Sequence, residues 1–334
     1  MSRWQRTLQR PLRFDGVGLH SGLRVRAEVK PSDVNTGIVF QVRRANGQLV
    51  DEARAHIAQI DASMAQLCSP LMGNRKRKEE RLHVMTVEHI MAALVANRVT
   101  NASVELTPEV ENADAPVSRI EVPIMDGSSR DFSQAIRDVG IKQQDASFKY
   151  LAIRKPVQVL MEDKAAWLLP MPAKLGDSFG APTLHMSIQV NFAHKHLDSR
   201  RFDYTLGPCP EKNAQEFDRE IAGARTFTFE EEVAWMRENG LALGGSLENA
   251  VVFKKSSDDD KSLAVDQRVL NPEGLRYPDE WVRHKMLDCI GDIGLAGYPL
   301  HGYFLATSPG HALTHELVRT LLRDASNYDI LDME

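Results

Sequence analysis

Cysteine is scarce. Cys68, Cys209 and Cys289 are the three in 334 residues, they lie far apart, and no Cys-x-x-Cys pair occurs. A disulfide scaffold needs an even set of spaced cysteines, so a reducing compartment is expected and each thiol is read as a small buried apolar residue. No run of about 18 apolar residues is present, which excludes a membrane-spanning helix. The start, Met1-Ser2-Arg3-Trp4-Gln5-Arg6, has no signal-peptide apolar stretch. A cytoplasmic protein is expected, while peripheral contact with a membrane through a lipid substrate leaves no spanning segment and stays open. Basic residues are not in excess either: the formal net charge is -5. Proteins that neutralise phosphates carry a basic surplus, so no nucleic-acid partner is expected. Neither His-Glu-x-x-His nor the P-loop pattern occurs, which disfavours zincin proteases and P-loop enzymes.

What is there is an ordinary globular composition, 43% hydrophobic and 26% charged. At about 150 residues per domain, the length predicts two. Period-two patterning predicts strands over Leu23–Val29, Gly37–Val42 and Ala102–Leu106. From Thr86, a candidate N-cap, the pattern turns helical through Val95. The polar stretch Gly140–Lys149 breaks the pattern, and Tyr150–Leu160 reads as a strand opening a second half. The boundary is placed near residue 146, giving an N-terminal α+β domain, 1–145, and a C-terminal α+β domain, 146–334. Helices are expected at Phe229–Asn239, Asp279–Ile290 and His311–Arg323. The charged runs Arg75–Glu80 and Ser256–Lys261 read as solvated loops.

Several constellations could carry chemistry. On a helix, His284, Asp288 and Asp292 fall at i, i+4 and i+8, and residues four apart stack about 5–6 Å apart on one face. An imidazole nitrogen and a carboxylate oxygen could then converge on a cation, although such a pair also makes ordinary surface hydrogen bonds. In Glu88-His89 the two side chains diverge by about 100°, so the histidine could bind a metal while the acid faces water, or the acid could simply complement a helix N-terminus. Ser308-Pro309-Gly310-His311 delivers a histidine to a helix start, as a catalytic cation or as a turn residue. Gly16–Gly22 is a Gly-rich loop with GxGxxxG spacing, unlike the dinucleotide fingerprint. Ala224–Phe227 and Gly240–Ser246 could line an apolar passage or merely pack.

In this order, Gln5-Arg6-Thr7-Leu8, Gly16–Gly22, Thr86-Val87-Glu88-His89, Pro123–Ser128, Ala224-Arg225-Thr226-Phe227, Leu243–Ser246, Val282–Asp292 and Gly310-His311-Ala312-Leu313 resemble the UDP-3-O-acyl-N-acetylglucosamine deacetylase family over nearly the full chain. The resemblance implies two similar α+β domains, each a small sheet layered with helices, with the active site at their interface. It implies a Zn2+ cofactor on His89, His284 and Asp288, with Glu88 as general base. Thr226 would donate to the oxyanion, and a cationic His311 ordered by Asp292 would protonate the leaving amine. Lys285, Phe227, Gly245, His20, Leu67 and Cys68 would contact a lipid-linked UDP-sugar, and a monomer is expected. The reaction implied is removal of the 2-acetamido acetyl group, the committed step of lipid A biosynthesis. The alternatives are another zinc amidohydrolase or a non-catalytic binding protein of the same fold. Three features depart from the pattern. Ser308 stands where many relatives place a lysine, and Arg75–Lys78 and Glu109–Glu121 look like insertions, the latter a loop.

Overall fold

The computed structural model describes residues 3–61, 66–68, 83–109, 119–172, 182–191, 197–255 and 265–333. The period-two segments of the first half form a five-stranded sheet in the order Leu12–Val17, Arg24–Pro31, Ala102–Pro108, Ile38–Arg43 and Leu49–Arg54. Its pairings are antiparallel except that between Ala102–Pro108 and Ile38–Arg43. Val25, Ala27 and Val29 are buried while the alternating Arg24 and Arg26 are exposed and Glu28 half-buried, so one face packs and the other meets water. On the wet face Glu105 takes Lys30 at 2.7 Å and Arg43 at 3.1 Å. Pairs so near water contribute little. The packed face carries the energy, through side chains such as Phe40, Val104 and Leu106.

Leu300–Thr307 is the trunk of a seven-stranded sheet. It pairs antiparallel with Lys164–Leu169, parallel with Leu184–Val190 and, through Leu300 and His301, parallel with Lys149–Ile153. Val157–Met161, Arg200–Leu206 and Tyr328–Asp332 complete it. Six α-helices occur among the described residues: α1 (Glu88–Ala96), α2 (Arg130–Val139), α3 (Pro210–Glu220), α4 (Glu230–Glu238), α5 (Glu280–Gly294) and α6 (His311–Arg323). Helix α6 covers Val157–Met161 and Lys164–Leu169, while α5 lies between α1 and the strands Leu184–Val190 and Arg200–Leu206. The α+β reading therefore holds. Helix α5 is buried along nearly its whole length: Trp281, Val282, Met286, Leu287, Ile290 and Ile293 pack into the core, and the polar Glu280, His284, Asp288 and Asp292 are buried with them. Two glycines let α1 approach it closely. A Cβ on Gly291 would lie 2.2 Å from the Glu88 carbonyl oxygen, and one on Gly294 would lie 2.7 Å from Val95 Cγ2.

The structure corrects several expectations. Tyr150–Leu160 is two strands, Lys149–Ile153 and Val157–Met161. Pro156 between them lacks the N–H that a continuous ladder needs. The polar stretch after Gly140 contains a strand, Ile141–Ser147, antiparallel to Trp4–Leu8. Its side chains stay largely in contact with water, so the ladder holds it and hydrophobic patterning gives no sign of it. Thr86 does not cap α1; Val87 occupies that position. Thr86 has φ +56°, which a β-branched residue rarely adopts, and its hydroxyl donates to Glu121 at 3.1 Å. The loop expected over Glu109–Glu121 ends in a strand, Arg119–Glu121, parallel to His83–Met85. Cys289 is buried but Cys209 is exposed, at the N-cap of α3. The runs Arg75–Glu80 and Ser256–Lys261 lie outside the described residues.

Candidate metal centre and catalytic site

The close α1–α5 contact brings His89, at the start of α1, against His284 and Asp288 on α5. One ligand atom from each lies within 4.8 Å of the others. Asp288 Oδ1 is 3.4 Å from His284 Nε2 and 3.9 Å from His89 Nε2. That oxygen is buried without a hydrogen-bond partner, which is rare for a buried polar atom. His284 Nδ1–H donates to the Ala224 carbonyl at 3.0 Å, which leaves the Nε2 lone pair facing Asp288, as in a histidine oriented to bind a metal. Burial, reinforced by His284, pushes His89 down to about 4, and burial likewise lowers His284, so both rings keep a lone pair near neutrality. Burial would raise the Asp288 carboxyl, yet Lys285 and the surrounding histidines hold it well below the usual carboxylate range. Lys285 Nζ donates to Asp288 Oδ2 at 2.8 Å. Two neutral imidazoles and an ionised carboxylate, one of its oxygens unsatisfied, are a donor set that could hold a metal ion and leave a position open.

Beside this cluster stand an acid and a cation. Glu88 Oε1 is 3.9 Å from His311 Nε2. His311 Nδ1–H points between the two oxygens of Asp292, 3.0 Å from each. Burial works against a charged His311, but Asp292 and then Glu88 raise it to about 10. Burial would likewise raise Asp292, yet His311 and His315 hold it well below the usual carboxylate range. The site thus sets an acidic side chain and an imidazolium side by side, a pairing that could serve as base and acid.

Thr226 is fixed by its backbone, whose N–H donates to Gly127 and whose carbonyl accepts from Val251, both at 2.8 Å. Its neighbours flank His284: Ala224 accepts from the ring, and Phe227 packs edge-on with centroids 6.3 Å apart. His20 and Gly245 belong to a second grouping. The Gly16–Gly22 loop meets the 241–245 loop through Leu243 N–H to the His20 carbonyl at 3.1 Å and Gly244 N–H to the Leu19 carbonyl at 3.0 Å. Leu67 and Cys68 lie on the strand Gln66–Cys68, beside His83–Met85, and their side chains are outside the described residues. A cavity of about 390 Å³ opens near Leu94, Arg98 and Ile293. It is lined by none of the candidate site residues.

Three features were not read from the sequence. His315 donates from Nε2 to Asp292 Oδ1 at 3.0 Å; its spacing of i+4 from His311 was the available signal. Arg225, 0% exposed, binds Glu280 through Nε at 2.9 Å and also pairs with Glu273. Glu121, buried, accepts from the backbone N–H groups of His20 at 3.0 Å and Ser21 at 2.7 Å. Nothing local in the sequence marks either of these long-range links.

The LpxC family, described as UDP-3-O-acyl N-acetylglycosamine deacetylase, matches residues 5–323. A protein of Myxococcus xanthus (strain DK1622) is 39% identical over 327 residues, covering 98% of this chain and 89% of the relative. Proteins of Shewanella sp. (strain ANA-3) and Shewanella oneidensis are each 36% identical over 331 residues, covering 99% of this chain and 94% of the relative. All three relatives are named UDP-3-O-acyl-N-acetylglucosamine deacetylase. On a match spanning nearly every described element, the chain belongs to the UDP-3-O-acyl N-acetylglycosamine deacetylase family.

Proposed function

We propose that this protein hydrolyses the 2-acetamido group of UDP-3-O-(hydroxyacyl)-N-acetylglucosamine, giving UDP-3-O-(hydroxyacyl)-glucosamine and acetate, the committed step of lipid A biosynthesis. The observation that carries the reading is the unpartnered, buried Asp288 Oδ1 facing His284 Nε2 and His89 Nε2, with the Glu88 and His311 pair alongside. His89, His284 and Asp288 would hold zinc. Bound there, zinc would supply Lewis acidity and bring water's pKa towards about 7.

The chain's own residues do the rest. Glu88 takes the proton of the attacking water. Thr226, beside His284, donates its hydroxyl to the oxyanion that develops on the acetyl carbonyl. His311, charged at neutral pH, stabilises that charge and then gives its Nε2 proton to the departing amine. Lys285 neutralises Asp288 and lines the sugar side. The 3-O-acyl chain lies along Phe227 and the 241–247 loop, where Leu243 and Leu247 are exposed. Each methylene buried there contributes about 0.8 kcal/mol. The boundary between the two domains is placed near residue 146, supported by one sheet drawing its strands from 12–54 and 102–108 and the other from 149–332.

The test is release of free amine from the UDP-sugar by the purified protein, with and without a zinc chelator, beside Glu88→Ala. Turnover abolished by the chelator, restored by zinc and reduced by about 10² to 10⁴ in the variant is expected. Absence of turnover with stoichiometric zinc bound overturns the substrate assignment.

A further inference from the structure

Asp292 accepts from two imidazoles rather than one. His311 and His315 sit one turn apart on α6, with ring centroids 6.0 Å apart, and both address the same carboxylate on α5. His311 Nδ1 is equidistant from the two oxygens, whereas His315 Nε2 meets only Oδ1, at 3.0 Å. The two rings are unlike. His311 is about one-third exposed and reaches on to Glu88, while His315 is 4% exposed and its Nδ1 is buried with no hydrogen-bond partner. A hydrogen on that nitrogen would be a buried, unpaired N–H, which is costly. The tautomer that avoids it carries the hydrogen on Nε2, so His315 is a donor to Asp292 and nothing else.

The consequence is geometric. A carboxylate held by one donor can swing about its Cβ–Cγ bond; a second donor at fixed angle locks its plane. His315, rooted in the buried face of α6, supplies that second donor. We propose that His315 is a positioning residue for the acid of the reaction. By clamping Oδ1 it keeps both Asp292 oxygens turned to His311 Nδ1, and so fixes the rotation at which His311 Nε2 faces Glu88 and the leaving nitrogen. Among the described residues, the charged and titratable groups around the His311–Asp292 pair include Glu88 and His89 from α1, Lys285, Asp288 and Cys289 from α5 and His315 from α6. His315 is the one among them bonded to Asp292. This inference rests on the proposed role of His311 in deacetylation.

The experiment uses the full-length, zinc-loaded protein in three forms: wild type, His315→Leu, which removes the donor at similar volume, and His315→Gln, whose amide N–H reaches about as far as Nε2. Misplacing a catalytic group by about 1 Å costs up to about 100-fold in rate. His315→Leu is expected to lower kcat about 10- to 100-fold with KM nearly unchanged, and His315→Gln to recover most of that loss. Proton NMR of the substrate-free protein gives a second readout: the downfield Nδ1–H resonance of His311, bonded to Asp292, is lost or exchange-broadened in the Leu form and kept in the Gln form. Should the Leu form not fold, His315→Asn, too short to reach Oδ1, takes its place with the same expectation. An unchanged kcat and an unchanged resonance in the donor-less form overturn the proposal, as does a loss that glutamine does not restore. Failure of the wild type to release amine, with the resonance still responding to His315, would instead remove the deacetylase reading and leave the clamp standing.

Discussion

Placing a methyl group on Gly291 asks whether the closeness of α1 and α5 sets the catalytic spacing. The new carbon would lie 2.2 Å from the carbonyl oxygen of Glu88 and 2.9 Å from its Cα, and opening the shorter contact to the 3.4 Å of ordinary packing separates the helices by about 1.2 Å. The atoms struck are backbone, which cannot rotate away, so the cost sits towards the top of the roughly 1–3 kcal/mol typical of overpacking. The displaced residues are Glu88 and His89 themselves. A shift of that size predicts a fall in kcat of about 100-fold and weaker zinc retention on dialysis. Gly294→Ala is the control. Its Cβ would meet Val95 Cγ2 at 2.7 Å and Met91 Cε at 3.2 Å, side-chain ends that can give, so kcat should stay within a few-fold of wild type. Steady-state kinetics with metal analysis on both variants decides the matter. If Gly291→Ala retains full kcat and zinc, or falls no further than Gly294→Ala, the glycine seam is not what holds the site at its spacing.

Asp292→Asn removes the charge that raises His311 to about 10, so burial then dominates and the alkaline limb of kcat should move to distinctly lower pH. The same ionisation has a stability sign. Because His311 is raised above its ordinary 6.5, its contribution is complete below that pH and is lost as pH rises through about 10. Urea midpoints of the wild type should therefore fall more between pH 7 and 10 than those of the variant, and parallel profiles would refute the linkage. Glu280→Ala leaves the buried Arg225 without its main partner, and loss of one member of such a pair costs about 3–5 kcal/mol. Chemical denaturation reads this directly; a loss below about 1 kcal/mol would mean that Glu273 and the Gly274 carbonyl, which accepts from Arg225 at 2.7 Å, suffice.

The sequence carried the helices of the site well because their chemistry is periodic. His284, Asp288 and Asp292 fall on one face only if α5 is helical, and it runs from Glu280 to Gly294, about a turn beyond the expected end at Ile290. Gly291, in that last stretch, is where the backbone of α1 comes closest, a Cβ there lying 2.2 Å from the Glu88 carbonyl oxygen. His311–Arg323 emerged with its expected ends. His315 was legible by the same i+4 rule and was missed because nothing in the sequence says that α6 turns that face to α5. Glu121 and Arg225 were beyond reach for a different reason. Glu121 meets His20 and Ser21 about a hundred residues away, and Arg225 meets Glu280 fifty-five residues on, so neither has a local pattern. The strand Ile141–Ser147 was lost because both its faces are largely polar.

That last strand bears on how the chain is made. Trp4–Leu8 has its ladder in Ile141–Ser147, and the Phe148 N–H adds a bond to the Arg3 carbonyl at 2.8 Å. Every strand of the five-stranded sheet lies before residue 109, so that sheet can assemble while the first strand still waits for its partner. At about 5–20 residues per second, synthesis reaches the partner roughly 7 to 30 seconds after the first strand is made. Throughout that interval Arg6 can already bond Thr100 and Asn101, but the edge of the strand that faces Ile141–Ser147 lacks its ladder and is open to proteases and to other chains. Nascent chains stalled short of Ile141 should be cut within it, and those stalled well beyond Ser147 should resist. The first half of the molecule is therefore sealed only after translation has entered the second.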